Sequence, residues 1–230
     1  YEIGSGLVGS EMCIRDRYND LTLAFWLIVA GIVFDFFDGF VARLLHSSSA
    51  IGVQLDSLAD VITSGLAPAA VLWQVCLQTE PCWLPEGWKL GYGVFVLAAF
   101  SALRLAKFNI DETQTVEFCG LPTPAGSLLC ASLGMLWQQG MLALSSDGVL
   151  LVAVLTSLLL VSPIRMFALK FHGFGWRGNE VRYLFLLASI VLIIILRTYA
   201  IPVIIVLYIV VSAVRWLCMR SGNPDKAPKA

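Results

Sequence analysis

Residues 35–60 read DFFDGFVARLLHSSSAIGVQLDSLAD, two apolar stretches that carry four aspartates and are joined by a short serine-rich turn. Asp35 and Asp38 lie three residues apart, and Asp56 and Asp60 lie four apart, so each pair falls on one face of a helix. Because the connecting turn is short, the two helices must be antiparallel neighbours. The sequence therefore predicts a helical hairpin whose acidic faces can oppose each other.

Four carboxylates cannot persist in a membrane without compensating positive charge. Each ionised carboxylate costs about 2.5–3.5 kcal/mol in hydrocarbon even by a lenient scale, and neighbouring carboxylates repel one another. Arg43 is the one lysine or arginine within residues 35–60. Clustered carboxylate oxygens suit a hard divalent cation such as Mg²⁺ or Mn²⁺. We therefore expect two such ions between the acidic faces, where they could also bind a diphosphate.

Small residues accompany the aspartates on both helices. Gly39 and Ala42 follow Asp38, and Gly52 precedes Asp56. Because these residues lack large side chains, a nucleotide could approach the helix backbone closely. A purely packing role for the carboxylates is disfavoured by their number and spacing, whereas an ion-conducting role in a divalent-cation transporter stays open at this point.

The whole chain has the composition of a membrane protein. Of its 230 residues, 58% are hydrophobic and 13% are charged, and the mean hydropathy is +0.82. Several apolar runs reach the roughly twenty residues that cross a bilayer, without the two-residue alternation of barrel strands. Because backbone groups in hydrocarbon must bond internally, we predict an all-α, polytopic transmembrane helical bundle. The seven membrane helices predicted are at 20–45, 51–77, 89–109, 123–141, 147–163, 181–197 and 200–220.

The lysines and arginines predict the orientation of the bundle. If the loop after the first helix faces the cytoplasm, only Lys89 and Arg197 of the predicted loops and helix ends lie on the opposite side. The cytoplasmic set is Arg43, Arg104, Lys107, Arg165, Lys170, Arg177, Arg182, Arg215, Arg220, Lys226 and Lys229. We therefore expect a multi-pass protein of the cell membrane, with its active site and C-terminus facing the cytoplasm. The net charge of −1 gives no reason to expect nucleic-acid binding.

The N-terminal segment does not fit this pattern. Residues 1–17 contain no apolar stretch long enough for a signal sequence or a membrane helix, and GLVGSEMCIRDRY resembles translated sequencing-adapter sequence. We expect this segment to be non-native, with a native N-terminal segment missing, or else to be a disordered tail. Residues 18–220 then form the membrane domain and residues 221–230 a cytoplasmic tail.

Residues 35–60 match the signature D-x2-D-G-x2-A-R-x8-G-x3-D-x3-D at every fixed position. By this match the chain resembles the CDP-alcohol phosphatidyltransferase family. The resemblance implies that a phosphatidyl group passes from a CDP-activated lipid to an alcohol and that CMP is released. It also implies that Asp35, Asp38 and Asp56 bind metal, and that Asp60 completes the metal site and acts as general base. The positions that would cradle the CDP moiety are Gly39, Ala42, Arg43 and Gly52.

A second set of segments narrows the choice of acceptor. These segments are similar to those of bacterial phosphatidylserine synthases, a branch of the same family. They are ADVITSGLAPA at 59–69, LRLAKFN at 103–109, FCGLPTPAG at 118–126 and VSPIRMF at 161–167. That branch typically reads RLARFN where this chain has Lys107, a change that conserves the charge but not the donor geometry. The resemblance implies CDP-diacylglycerol and serine as substrates, and it suggests a homodimer.

Serine carries a carboxylate, so an enzyme that binds serine needs a positively charged side chain near it. Arg104 and Lys107 lie three residues apart on the third helix, with Asn109 beyond them. They are the candidates for binding the serine carboxylate or a lipid phosphate. Alternatively, these residues anchor the helix end at the cytoplasmic interface. Arg165 and Lys170 leave the same choice, with anchoring favoured.

The leading hypothesis is transfer of the phosphatidyl group from CDP-diacylglycerol to serine, which forms phosphatidylserine. The nearest alternative is a sister transferase that accepts glycerol 3-phosphate or inositol phosphate and would need more cationic groups at the cavity mouth. The alternative from another class is the divalent-cation transporter. Ser64, Gly65 and Ala67 form a small face on the second helix, which could support a helix contact within the chain or a homodimer.

Overall fold

A computed structural model of the chain describes residues 20–44, 50–82, 90–110, 117–167 and 179–222. Within these ranges the protein is a bundle of α-helices, and all seven predicted membrane segments are helical. Residues 1–17 and nearly all of the predicted tail lie outside the described ranges. The helices are α1 Leu21–Leu44, α2 Ala50–Asp60, α3 Ala67–Gln78, α4 Val96–Ile110, α5 Thr123–Gln138, α6 Ser146–Val161, α7 Glu180–Leu196 and α8 Ala200–Gly222.

The second predicted segment is one continuous helical rod with a wider turn in its middle. Helices α2 and α3 are joined by a π-helical turn at Val61–Leu66, in which the N–H of Ala67 bonds to the carbonyl of Ile62. Pro68 explains this turn, because proline cannot donate to the carbonyl four residues before it and its ring collides with that carbonyl. The wider turn accommodates the collision without ending the helix.

The outer surface of the bundle is apolar. Three helical stretches are long and apolar enough to cross a membrane, namely Gln54–Gln78, Gly91–Ile110 and Glu180–Cys218, and shorter apolar helices cover Leu21–Phe37 and Ser146–Val161. On α7, Leu184 and Ile194 are exposed by 67% and 71%. Such exposure suits contact with lipid chains rather than water. The predicted all-α membrane bundle is therefore confirmed.

Hydrogen bonds tie the helix ends together on two opposite sides of the bundle. On one side, the backbone N–H of Cys82 donates to the carboxylate of Asp147 at 2.9 Å, and the hydroxyl of Tyr199 donates to the carbonyl of Met141 at 2.8 Å. On the other side, the amide of Asn109 donates to the hydroxyl of Ser57 at 2.8 Å. Successive membrane helices therefore alternate in direction.

Two short strands on the second side were not predicted. Strand β1, Glu117–Cys119, pairs antiparallel with β2, Arg165–Phe167, whereas the predicted helix ranges leave both segments in the connections between helices. Next to β1, Gly120 has a φ of 78°, and a Cβ at this position would collide with the carbonyl oxygen of Leu160. A residue other than glycine would therefore separate β1 from the end of α6.

Helix α5 lies at the centre of the bundle. It contacts α1, α3, α8 and the π-helical turn, and most of its residues are buried. A Cβ at Gly134 would collide with the side chain of Val71 in α3. Small residues thus let the helices approach closely, as is common in membrane bundles.

Candidate functional site

The two helices that carry the aspartates cross at a close contact. Gly31 in α1 lies against Thr63 in the π-helical turn, where a Cβ on residue 31 would fall 2.7 Å from the Thr63 methyl carbon. Asp35 follows Gly31 by about 6 Å along its helix, and Asp60 precedes Thr63 by about 4.5 Å. Because the helices run antiparallel, both aspartates lie on the same side of the crossing. The fold thus places Asp35 and Asp60 at matching levels of the hairpin.

The next turn of each helix carries the other two aspartates. Asp38 follows Asp35 and Asp56 precedes Asp60, so both lie farther from the crossing in the same direction. Asp35 and Asp60 are half-buried, and Asp56 is exposed. The side chain of Asp38 lies outside the described part of the structure.

The metal site itself stays a prediction. Among the residues that the structure describes, no three His, Cys, Asp or Glu side chains form a group that could hold one metal ion. The described ligand candidates are all carboxylates, which is the donor type that Mg²⁺ and Mn²⁺ prefer. The side chains of Gly39, Ala42 and Arg43 also lie outside the described part, and Gly52 is exposed on α2.

Asp60 ends the regular part of α2, immediately before the π-helical turn. One turn later, the buried hydroxyl of Ser64 donates to a carboxylate oxygen of Asp60 at 3.4 Å, a long hydrogen bond. Gly65 lies against Ser101 of α4, where a Cβ would come within 2.9 Å of the Ser101 Cβ. This close approach brings α4 beside the general-base candidate.

Arg104 of α4 is partly buried and its side chain points into the bundle. Its Nη1 donates to the hydroxyl of Thr123 at 2.8 Å, and it interacts electrostatically with Asp60 and Tyr208. Its Nε is buried and has no hydrogen-bond partner among the described residues. Arg104 therefore bonds to α5 and interacts electrostatically with residues of α2 and α8.

A cleft opens beside Arg104 on the same side of the bundle. Lys107, one turn after Arg104, is exposed and lines this cleft, and Cys119 brings strand β1 into its wall. Arg165 faces Cys119 in the strand register but is exposed, whereas Lys170 lies outside the described residues. The complete lining is Arg104, Lys107, Phe108, Cys119, Leu160, Val161 and Ser162.

The side chain of Asn109 has different contacts from the side chains of Arg104 and Lys107, which precede it on α4. Its side-chain amide donates to the Ser57 hydroxyl at 2.8 Å, and it is not part of the cleft lining. Ser57 directly follows Asp56 in α2. Asn109 therefore ties the end of α4 to the helix that carries two of the aspartates.

The sequence interpretation missed two polar residues near Arg104. Thr123 accepts the Arg104 hydrogen bond and is 1% exposed, and Tyr208 of α8 is 8% exposed. Tyr208 and Ser212 are spaced by one turn within an otherwise apolar stretch of α8. Polar residues inside a membrane helix usually face the bundle interior, so this spacing was the available signal.

Comparison with known proteins identifies a family and several relatives. Residues 7–164 match the CDP-alcohol phosphatidyltransferase family. The chain is 32% identical to the CDP-diacylglycerol–serine O-phosphatidyltransferase of Bacillus subtilis over 174 residues, which cover 74% of this chain and 89% of that protein. It is 32% identical to the enzyme of that name from Helicobacter pylori strain 26695, over 85% of this chain and 80% of that protein. It is 35% identical to the one from Mycobacterium tuberculosis strain H37Rv, over 88% and 73%.

Proposed function

This chain belongs to the CDP-alcohol phosphatidyltransferase family, and on that premise we propose that it transfers the phosphatidyl group of CDP-diacylglycerol to the hydroxyl of serine. The products are phosphatidylserine and CMP. The observation that carries this proposal is the similarity to relatives named for the serine reaction over most of both chains. The inward-pointing Arg104, which interacts electrostatically with Asp60, supports it, because serine differs from a simple alcohol by its charged groups.

Asp35, Asp38, Asp56 and Asp60 are the proposed ligands of Mg²⁺ or Mn²⁺, in a site for two ions. The fit rests on the chemistry of the donors and on the helix crossing that sets Asp35 and Asp60 at matching levels. A divalent cation held by these carboxylates would offset the negative charge of the diphosphate and of the departing CMP. Gly39, Ala42, Arg43 and Gly52 are proposed to bind the CDP moiety.

Asp60 is the proposed general base. It takes the proton of the serine hydroxyl while the hydroxyl oxygen attacks the β-phosphorus of CDP-diacylglycerol. The new bond forms between the serine oxygen and that phosphorus, and the bond from the phosphorus to CMP breaks. The hydroxyl of Ser64 donates to one carboxylate oxygen of Asp60 and helps to orient the carboxylate.

Arg104 and Lys107 are the proposed partners of the serine carboxylate. The guanidinium of Arg104 is held at one nitrogen by Thr123, and its buried Nε donates to no residue that the structure describes. Lys107 adds a second positive charge at the open end of the cleft. Asn109 is proposed to act indirectly, because its hydrogen bond to Ser57 holds the end of α4 against α2.

We further propose that the protein lies in the cell membrane with this site and its C-terminus facing the cytoplasm. The basis is the distribution of lysine and arginine. A homodimer remains a proposal from the family resemblance. Ser64, Gly65 and Ala67, the small face that could have supported it, are buried within the chain.

A direct assay tests the proposed function. The purified protein in lipid nanodiscs receives labelled CDP-diacylglycerol, Mn²⁺ or Mg²⁺, and one acceptor at a time. We expect CMP release and labelled phosphatidylserine with serine, and neither with glycerol 3-phosphate or inositol phosphate. Failure with serine alone would refute the choice of acceptor. Metal flux into liposomes without CMP release would instead favour the divalent-cation transporter.

A further inference from the structure

The π-helical turn between α2 and α3 holds one residue more than a turn of regular α-helix. The N–H of Ala67 bonds to the carbonyl of Ile62, five residues earlier, whereas an α-helical bond spans four. Pro68 follows directly and is buried, and its ring opposes a regular α-helical turn at this place. The turn is therefore wide because of a residue that lies outside the stretch of four aspartates.

The wide turn decides which face of the α2–α3 rod meets α4. Ser57, before the turn, accepts a hydrogen bond from Asn109 at 2.8 Å. Gly65, near the end of the turn, lies so close to α4 that a Cβ would come within 2.9 Å of the Ser101 Cβ. The two contacts therefore join one face of α4 to the rod on both sides of its wide turn.

The spacing of Ser57 and Gly65 shows why the extra residue matters. They are eight residues apart, which is about 800° in a regular α-helix, so they would differ by about 80° around the axis. With one residue absorbed by the wide turn, the difference falls to about 700°, within about 20° of a single line. The wide turn thus lets both residues face α4.

The rotation that aligns Ser57 also sets the direction of the aspartates. Asp56 and Asp60 belong to the same helix as Ser57, so all three turn together. Closing the wide turn to α-helical geometry without shortening the chain would rotate α2 by about 100° and shift it by about 1.5 Å relative to α3. Both carboxylates would then leave the direction and the level at which they meet α1.

We propose that Pro68 is a positioning residue of the acidic hairpin. By keeping the turn wide, Pro68 holds α2 in the rotation that directs Asp56 and Asp60 toward α1, and it does so without touching substrate or metal. This inference rests on the proposed function, because it concerns how the proposed metal ligands and general base are held.

The test uses a deletion that compensates for the loss of the proline. Pro68→Ala restores a backbone N–H and permits a regular α-helical turn. Deleting Ile62 as well removes the extra residue, so the regular turn then leaves α2 in its original rotation. Ile62 is 46% exposed, so its loss removes little packing inside the bundle. Pro202→Ala is the matched control, because Pro202 lies in the first turn of α8, where a proline replaces no bond within the helix.

The first measurement is the kcat for CMP release with serine in nanodiscs. Pro68→Ala is expected to lower kcat by about 10-fold to 100-fold, because misplacing reacting groups by about 1 Å has effects of that size. The additional deletion of Ile62 should restore most of the lost kcat. Pro202→Ala should leave kcat unchanged. Recovery of activity by a deletion is not expected if Pro68 only stabilises the fold.

The second measurement reports the rotation of α2 without relying on activity. Ser57→Cys and Asn109→Cys place two thiols where the hydrogen bond now lies, and mass spectrometry quantifies their disulfide after oxidation by copper phenanthroline. A disulfide requires Cβ atoms about 3.5–4.5 Å apart. The pair should therefore cross-link readily when Pro68 is present, at least about fivefold more slowly in Pro68→Ala, and readily again when Ile62 is also deleted.

Two outcomes overturn the inference. If Pro68→Ala keeps the wild-type kcat and cross-linking rate, the proline does not hold the turn. If deleting Ile62 leaves both values as low as in Pro68→Ala alone, the loss comes from general damage and not from rotation of α2. A wild type that releases no CMP with serine refutes the proposed function, whereas the cross-linking rates still decide whether Pro68 sets the rotation.

Discussion

Replacing Thr123 with valine removes the hydroxyl that accepts a hydrogen bond from Arg104 and leaves the shape of the side chain nearly unchanged. The bond is 2.8 Å long and Thr123 is 1% exposed, so water has little access to replace it. Hydrogen bonds to charged groups contribute about 1.5–3 kcal/mol. If Thr123 orients Arg104 toward serine, that energy is lost mainly from serine binding.

The expected loss follows from this energy. Since about 1.4 kcal/mol corresponds to a factor of ten, Thr123→Val should lower kcat/KM for serine by about 10-fold to 150-fold. The assay measures CMP release in nanodiscs while serine is varied at saturating CDP-diacylglycerol. The KM for CDP-diacylglycerol should stay within about twofold of the wild type, because the change acts on the acceptor side.

Thr123→Ser is the matched control, since it restores the hydroxyl and removes only a methyl group. We expect it to recover most of the serine activity. The reasoning is refuted if Thr123→Val keeps serine kcat/KM within about twofold of the wild type. It is also refuted if Thr123→Ser is as impaired as Thr123→Val, because the activity would then depend on the methyl group and not on the hydroxyl.

Three further substitutions test the acidic hairpin. Asp60→Asn should abolish turnover but retain much of the binding of CDP-diacylglycerol, measured with labelled lipid; near-normal turnover would show that Asp60 is not the base. Asp38→Asn should weaken the dependence on Mn²⁺ or Mg²⁺, and a titration that overlays the wild type would count against its role as a ligand. Gly31→Ala should destabilise the protein by about 1–3 kcal/mol through overpacking, because the new Cβ meets the Thr63 methyl group. Adding Thr63→Ser, which removes that methyl group, should recover stability in thermal unfolding, and no recovery would argue against the crossing.

The helices could be predicted from the sequence because their causes are local. A backbone in hydrocarbon must satisfy its own hydrogen bonds within each segment, so an apolar run of sufficient length is enough to indicate a helix. The predicted segments 51–77 and 123–141, for example, agree with the structure to within a few residues. The π-helical turn was not predicted, although Pro68 is its visible cause, because proline can also kink or end a helix.

The pairing of β1 with β2 could not be predicted in the same way. Each strand has three residues, too few for a periodic pattern, and its partner is distant in the sequence. The pairing depends on the packing of α4 and α6, which brings Gly120 against the end of α6. That packing is a property of the whole bundle.

The amino-acid sequence by itself determined that this chain is a helical membrane protein and that its aspartates lie on two faces of one hairpin. Both results depend on spacing along the chain and on the cost of charge in lipid. Only the tertiary structure shows which residues surround the Arg104 side chain. Whether a cation at a helix end reaches the membrane surface or turns inward depends on what the other helices offer, and here α5 supplies Thr123 while α2 and α8 supply Asp60 and Tyr208. Those neighbours come from distant parts of the chain, so spacing within one helix carries no information about them.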